Sequence, residues 1–440
     1  MDGKCYDIAI IGAGVVGCAL AGELARRFGG VLLLDKEGSV GFHTSGRNSG
    51  VIHSGFNPTP GTLKARLCVE GSRLTRQYCK EQEIPCEQVG TYVVAVEETQ
   101  VPRLYELKSQ GEKNGVPGLE ILPIKQMREH EPNVKGIAAL FSPTGAIVDS
   151  QALTRNLARE AERSGATVRL GQEVTHIEER RDVVEVVTTG SKYLANTVIN
   201  CAGLHADRLA HMMGLGKEYI IAPFRGEYFE VTRPGPPIIN SMVYPVPNPV
   251  VPFLGVHLTR TVSGTVLIGP NAVPALGREA YRWCEFSLKD TVEIGRHRAV
   301  WKALVKNLAL VKIAFNELRH SCSRQHFLRE ASRLVDGLGP QDLRLGSRVG
   351  IRPQLLRSDG FLVEDLVVET SPRSIHILNV VSPGMTSSMA FARWLSNRIS
   401  DNLEWVSDTD REAGSTIGGG QGMVAGLHFL RAGLRYERKD

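Results

Sequence analysis

The chain has 440 residues, 42% hydrophobic and 22% charged, and its 52 basic and 47 acidic side chains leave a net charge of +5. That length holds two or more domains; the mild charge, without a long Lys/Arg run, argues against a nucleic-acid partner and leaves acidic metabolites or an anionic membrane surface open. Eight scattered cysteines with no C-x-x-C pair offer neither a zinc site nor a redox motif, so no metal is expected and the thiols suit a reducing compartment.

In chain order, residues 6–11 read as an apolar strand entering Gly12-Ala13-Gly14-Val15-Val16-Gly17. An amphipathic helix is predicted from about residue 16 to 28, and a second apolar strand over 31–34 ends on Asp35, followed by Lys36. This is G-x-G-x-x-G between strand and helix, with an acid eighteen residues past the last glycine, the arrangement that binds a dinucleotide. Gly12 permits the tight turn, Gly14 lets a pyrophosphate approach the backbone, and Gly17 lets the helix pack on the sheet, while Asp35 accepts ribose hydroxyls. The strand begins at residue 6, leaving no room for a signal peptide, and no apolar run reaches the ~18–20 residues of a membrane span. A cytoplasmic protein is expected, with a peripheral place on the inner face of the membrane open.

Next comes "HTSGRNSGVIHSG" (43–55), which has no helical or strand period. Its glycines, Gly46, Gly50 and Gly55, permit backbone shapes closed to other residues, and Ser45, Asn48 and Ser49 stand among them. The glycine triplet alone does not choose between NAD and FAD; an N-terminal βαβ unit followed at once by this loop suits a flavoprotein. "TVRLGQEVTHIEER" (167–180) reads as two short strands, and residues 194–215 as a strand, a glycine turn at Gly203 and a helix. "PFRGEYF" (223–229) is a predicted strand on which Arg225 shares a face with Glu227. A guanidinium there serves either a carboxylate ligand or an ion pair with Glu227 or Glu230. "YPVPNPVVPFLGVHLTR" (244–260) has too many prolines for a central strand and reads as a rigid lip starting at Tyr244, then a strand over 254–259 carrying His257. "IGPNAV" sets Asn271 after a Gly-Pro turn, and residues 287–321 have helical periodicity with charges on one face. "GIRPQ" (350–354) holds Gly350 and Arg352, and "SPGMTS" (382–387) opens a helix with Gly384, Met385 and Thr386 at its N-terminus.

These stretches, with "LKARLCVEG", "GAIVDS", "CAGLHADRL" and "REAYR", resemble the D-amino-acid-oxidase-type FAD-dependent oxidoreductases over residues 6 to about 400. Within them the sequence is most similar to the L-2-hydroxyglutarate dehydrogenases. The resemblance implies a mixed α/β (α+β) fold: a Rossmann-like FAD-binding domain from residues 1–90, 150–215 and 345–403, with an inserted antiparallel-sheet substrate domain from 91–149 and 216–344. It implies oxidation of a 2-hydroxy acid, a dicarboxylate in the leading case, by hydride transfer to flavin N5, with electrons passed to a quinone or other acceptor. His53 is then the first candidate for general base and His257 the second, Arg225 and Arg352 are carboxylate ligands, and Tyr244 and Asn271 line the substrate pocket. Gly12, Gly14, Gly17, Asp35, Lys36, Ser45, Gly46, Asn48, Ser49, Gly50, Val174, Gly203, Gly350, Gly384, Met385 and Thr386 would hold FAD. Two positions depart from the family pattern: Arg47 stands where relatives carry histidine, which implies non-covalent FAD, and Gly384-Met385 replaces an Ala-Ala pair.

After residue 404, "STIGGGQG" reads as a linker and the last residues interleave Leu427, Leu430 and Leu434 with Arg431, Arg435, Arg438 and Lys439. Such a tail either docks on an anionic membrane or is a disordered or core-docked terminus. Two other functions stay open: an FAD-dependent amino-acid oxidase or dehydrogenase, favoured by "GIRP" and Arg47, and a flavin-binding sensor without turnover.

Overall fold

A computed structural model of the chain describes residues 4–247, 255–306, 317, 318, 321, 323–380 and 382–413, with side chains as far as residue 399. Strand β1 (Cys5–Ile11) lies at the centre of an eight-stranded sheet, parallel to Val31–Leu34 on one side and Lys192–Asn200 on the other. All four residues of Val31–Leu34 are buried, as expected of a strand covered on both faces. Thr167–Arg169 extends the sheet beyond Val31–Leu34, and Ser374–Asn379 pairs in parallel with the end of Lys192–Asn200. The C-terminal edge of this sheet therefore gathers segments from four distant parts of the chain, where α/β folds bind ligands.

Helix α1 (Val15–Ala25) packs Cys18, Leu20 and Leu24 into the core between this sheet and the helix Gly384–Ala413. That last helix continues ten residues past the expected domain end at 403 and stops at Ala413, just before the stretch read as a linker; the linker and the basic sequence after it lie outside the described residues.

A nine-stranded sheet forms the second layer. Its longest pair joins Tyr219–Val231 to Leu343–Arg357 in antiparallel register, with Phe224 opposite Arg352 and Gly226 opposite Gly350. Leu343–Arg357, grouped from sequence with the nucleotide segments, thus belongs to this sheet by its hydrogen bonds. The strand expected at 254–259 runs instead over His257–Arg260, and most of the proline-rich stretch before it is outside the described residues. The helical periodicity after 287 appears as Leu288–Arg296 and Arg298–Lys306.

The glycine turn after β1 has no room for side chains. A Cβ at Gly17 would sit 1.9 Å from the Gly12 carbonyl oxygen, whereas at Gly29 it would meet nothing within 4 Å. Gly17→Ala should therefore lower the urea unfolding free energy by about 2 kcal/mol or more, and Gly29→Ala should change it by less than about 0.5 kcal/mol. Equal effects in the two variants would show that the turn does not constrain α1.

Candidate active site

A cavity of about 1010 Å³ runs between the two sheets, at the upper end of the ~300–1,000 Å³ usual for small-molecule and cofactor sites. At one end lie Asp35, Lys36 and Val174; the glycine turn and the loop 41–49 form its middle; His53, Tyr228, Tyr244, His257 and Arg352 also line it. Gly12, Gly14, Ser45, Asn48, Ser49, Gly203, Gly350, Gly384, Met385, Thr386 and Asn271 complete the set of expected residues that reach it.

The residues around the glycine turn fit a dinucleotide. Asp35 accepts hydrogen bonds from the backbone N–H of Ala13 (2.6 Å) and Glu37 (2.9 Å), which fixes its carboxylate beside the turn. Burial raises its pKa and those two hydrogen bonds oppose the rise. The first N–H of α1, from Val15, is directed at Ser45 Oγ (2.9 Å), so the loop and the helix N-terminus already share a polar pocket. A Cβ at Gly203 would meet no protein atom, leaving the cavity open there.

The histidine loop has no regular structure of its own beyond the two-residue strand Val51–Ile52, and side chains tie it down. Asn48 Nδ2 donates to the carbonyls of Thr44 (3.1 Å) and Ser45 (2.7 Å), and its Oδ1 accepts from Gly50 N–H (2.8 Å). Thr44 Oγ1 donates to Ile351 O, Arg348 donates to Asn48 O, and His53 N–H donates to Thr386 Oγ1 (3.0 Å). Gly50 is needed for its positive φ of 74° and because a Cβ would lie 2.4 Å from Val148 O. Gly46 and Gly50, expected against the cofactor, do not line the cavity, nor does Gly17; all three serve close backbone packing instead. Arg47 lines the cavity with its guanidinium 4.2 Å over the Tyr281 ring, in place of the family histidine.

At the His53 end, burial dominates the electrostatics. His53 and His257 are both pushed down to about 4, first by desolvation; Lys64 adds to this at His53, and at His257 the charge of His53 does so against the opposing hydrogen bond to Gly255. His257 Nδ1 lies 2.9 Å from the Gly255 carbonyl, which can only accept, so Nδ1 carries the proton and Nε2 keeps a lone pair. Its ring stands edge-on to Tyr244, centroids 4.3 Å apart. Arg352 is lowered by burial to about 10 and stays charged at neutral pH. Lys64, from the "LKARLCVEG" stretch, does not line the cavity and donates from Nζ to Glu364 O (2.9 Å); its pKa is lowered by burial and then by the charge of Arg352. Sequence reasoning left Lys64 out and did not choose a role for Tyr228, which lines the cavity and is hydrogen-bonded to Ser49.

Of the two roles open to Arg225, the structure shows the ion pair. Arg225 does not reach the cavity: its Nε lies 3.3 Å from Glu227 Oε1 and its guanidinium 4.0 Å over Trp283. The strand's period of two explains this, because Phe224, Gly226 and Tyr228 face the cavity and Arg225 and Glu227 face away. Asn271 borders the cavity, but its amide is engaged behind it: Oδ1 accepts from Glu227 N–H (2.8 Å) and Nδ2 donates to Ser321 Oγ (3.1 Å).

A nucleotide-type glycine turn and a titratable pocket on one cavity between two sheets define a dinucleotide-dependent oxidoreductase. The chain belongs to the family described as FAD dependent oxidoreductase (DAO), which matches residues 7–398. It is 36% identical over 409 residues to the L-2-hydroxyglutarate dehydrogenase of Escherichia coli (strain K12), covering 92% of this chain and 96% of that protein. It is 33% identical over 418 residues to the mitochondrial L-2-hydroxyglutarate dehydrogenase of Homo sapiens, covering 91% and 89%. In fold it is similar to the dithionite-reduced L-alpha-glycerophosphate oxidase from Mycoplasma pneumoniae with FAD bound, with a TM-score of 0.71 at 24% identity over 89% of this chain and 93% of that one. Among the described residues no helix is long and apolar enough to cross a membrane.

His53, His257 and the buried His376 all have pKa values of about 4, pushed down mainly by burial from an ordinary 6.5. Above pH 6.5 they cost nothing; as pH falls from 6.5 toward 4 the unfolded chain binds protons that the folded one refuses. Stability should fall over that window, by at most about 1.4 kcal/mol per pH unit for each histidine. Urea midpoints between pH 7.5 and 4.5 measure it, and His53→Gln with His257→Gln should flatten the slope.

Proposed function

We propose that the protein oxidises L-2-hydroxyglutarate, or a close 2-hydroxy acid, to the 2-oxo acid with non-covalently held FAD. The observation that carries this reading is that a charged arginine and two imidazoles kept neutral by burial line the same cavity as the dinucleotide turn. Bound FAD supplies the two-electron acceptor for the hydride on C2. Asp35, Val174, Gly203 and the turn Gly12–Gly17 would hold its nucleotide half, and the loop around Ser45, Asn48 and Ser49 with Gly350, Gly384, Met385 and Thr386 its other half. Arg352 would take a substrate carboxylate through paired N–H donors. His257 has its tautomer fixed by Gly255 O, so its Nε2 would accept the hydroxyl proton, and Tyr244 would keep the ring in that orientation. His53 would share this work as the neighbouring imidazole.

Anaerobic mixing with L-2-hydroxyglutarate should bleach the flavin absorbance near ~450 nm, while D-2-hydroxyglutarate and amino acids should not. Reduction by amino acids alone would make the protein an amino-acid oxidase or dehydrogenase, and reduction by none of these would favour a sensor. His257→Gln should slow reduction by ~10²-fold or more with FAD retained. Normal reduction in that variant and slow reduction in His53→Gln would move the base to His53.

Electrons then leave to a quinone or another acceptor, and we propose a peripheral contact with an anionic membrane for that step. The helix Arg298–Lys306 supports it: Ala299 and Ala303 pack inward, while Trp301, Leu304 and Val305 are 61%, 41% and 73% exposed beside Arg298, Lys302 and Lys306. The basic C-terminal sequence is a second candidate. Flotation with phosphatidylglycerol vesicles should recover the protein, and Trp301→Ser with Val305→Ser should reduce recovery more than removal of residues 415–440. Equal recovery of all three proteins would discard the contact.

A further inference from the structure

The segment Arg278-Glu279-Ala280-Tyr281-Arg282 of the inserted layer borders the cavity through Glu279 and Ala280. Its side chains tie it to both sides of the turn. Arg278, fully buried, donates from Nη1 and Nη2 to the two oxygens of Asp207 (2.5 and 2.9 Å) and from Nη1 to Leu204 O (2.5 Å). Asp207 and Leu204 belong to the helical segment that follows Gly203.

Glu279 lies on the cavity wall, where its Oε1 is 2.7 Å from Lys36 Nζ, beyond the end of Val31–Leu34, and 2.7 Å from His205 Nε2, beyond the end of Lys192–Asn200. One carboxylate thus spans two strand ends across the cavity. Although burial alone would raise its pKa, the hydrogen bonds from His205 and Lys36 hold it at about 2. Tyr281 completes the set of contacts. Its hydroxyl is 2.6 Å from His43 Nδ1, and its ring lies under the Arg47 guanidinium at 4.2 Å. His43 Nε2 in turn lies 2.9 Å from Glu37 Oε1.

These contacts are of two kinds. The Arg278–Asp207 pair is buried and bidentate, a permanent anchor. The Glu279 and Tyr281 contacts are partly exposed, and each joins single atoms across the cavity, so they can open without unfolding either sheet. They reach Lys36, His43, Arg47 and His205, and all four line the same cavity as the glycine turn.

We infer that this pentapeptide is a clasp over the dinucleotide: hinged at Arg278, closed by Glu279 on Lys36 and His205 and by Tyr281 on His43 and Arg47, it must open for the cofactor to enter or leave. The inference rests on the FAD reading above and concerns retention of FAD rather than its chemistry. A gate differs from a simple contact, because opening a gate speeds both departure and entry, while losing a contact speeds departure alone.

The test uses the holoprotein and FAD itself. Flavin release is followed by fluorescence after dilution, rebinding by adding FAD to the apoprotein, and exposure of the clasp by limited chymotrypsin cleavage near Tyr281. Glu279→Gln and Tyr281→Phe should each release FAD about ten-fold faster and rebind it several-fold faster, and the segment should become cleavable in the loaded protein. Release at the wild-type rate in both variants would overturn the clasp, as would faster release with unchanged rebinding and protection. Tyr281→Phe removes only a hydroxyl and keeps the test available should Glu279→Gln fold poorly. A wild-type protein that neither carries nor takes up flavin would instead overturn the FAD reading.

Discussion

The register of Tyr219–Val231 against Leu343–Arg357 decides which side chains reach the cavity. Cross-strand partners share a face, so setting Phe224 opposite Arg352 and Gly226 opposite Gly350 turns Arg352 inward together with Tyr228 and turns Arg225 outward with Glu227. A slip of Leu343–Arg357 by one residue would turn Arg352 out of the cavity and leave Arg225 facing away as well. The same register sets Gly350 against the histidine loop, where a Cβ would lie 2.3 Å from Arg47 O. The two layers meet through backbone contact at that point, which only glycine allows.

Around that contact the loop 43–55 is held by a set of side chain-to-backbone hydrogen bonds instead of a ladder. Asn48 satisfies three backbone groups within the loop, and Thr44, Arg348 and Thr386 tie it to the second sheet and to the last helix. A segment without periodic structure still needs partners for its polar groups, and here they come from elements over 290 residues away in the chain. This makes the loop stiff despite its glycines, which suits a wall that must keep a fixed distance from a bound ring system.

Much of this was legible in the sequence. The βαβ unit announces itself through glycine spacing, an apolar strand on each side and an acid at the right distance, because those features depend on local sterics and charge. Arg352 and His257 could be named because the resemblance covers their motifs. For Arg225 the sequence leaves two roles open, a carboxylate ligand or an ion pair, because a lone strand has two faces and only the partner's register says which one meets the cavity. Glu227 provides the outward face with its own polar network: the pair with Arg225 is one of the readings the strand offers, whereas the links to Asn271 and Ser321 come from segments distant in the chain. Lys64 escaped notice for the opposite reason. It sits near the start of an ordinary-looking helix, Leu63–Glu81, and its electrostatic role exists only because Arg352 and His53 approach from elsewhere.

The electrostatics at the His53 end favour an anionic substrate in a particular way. Burial disfavours a charged imidazole at both His53 and His257, and at His53 the charge of Lys64 adds to it, so both histidines stay neutral at neutral pH. On the proposed reading a bound carboxylate would oppose the Lys64 charge at His53 and so favour its imidazolium, while the desolvation that is the larger cause of the low pKa would remain. A carboxylate substrate would therefore favour a protonated imidazole in a way that a neutral alcohol would not. On the proposed reading, discrimination between a 2-hydroxy acid and a simple alcohol then lies in the proton acceptor as well as in the carboxylate's own hydrogen bonds.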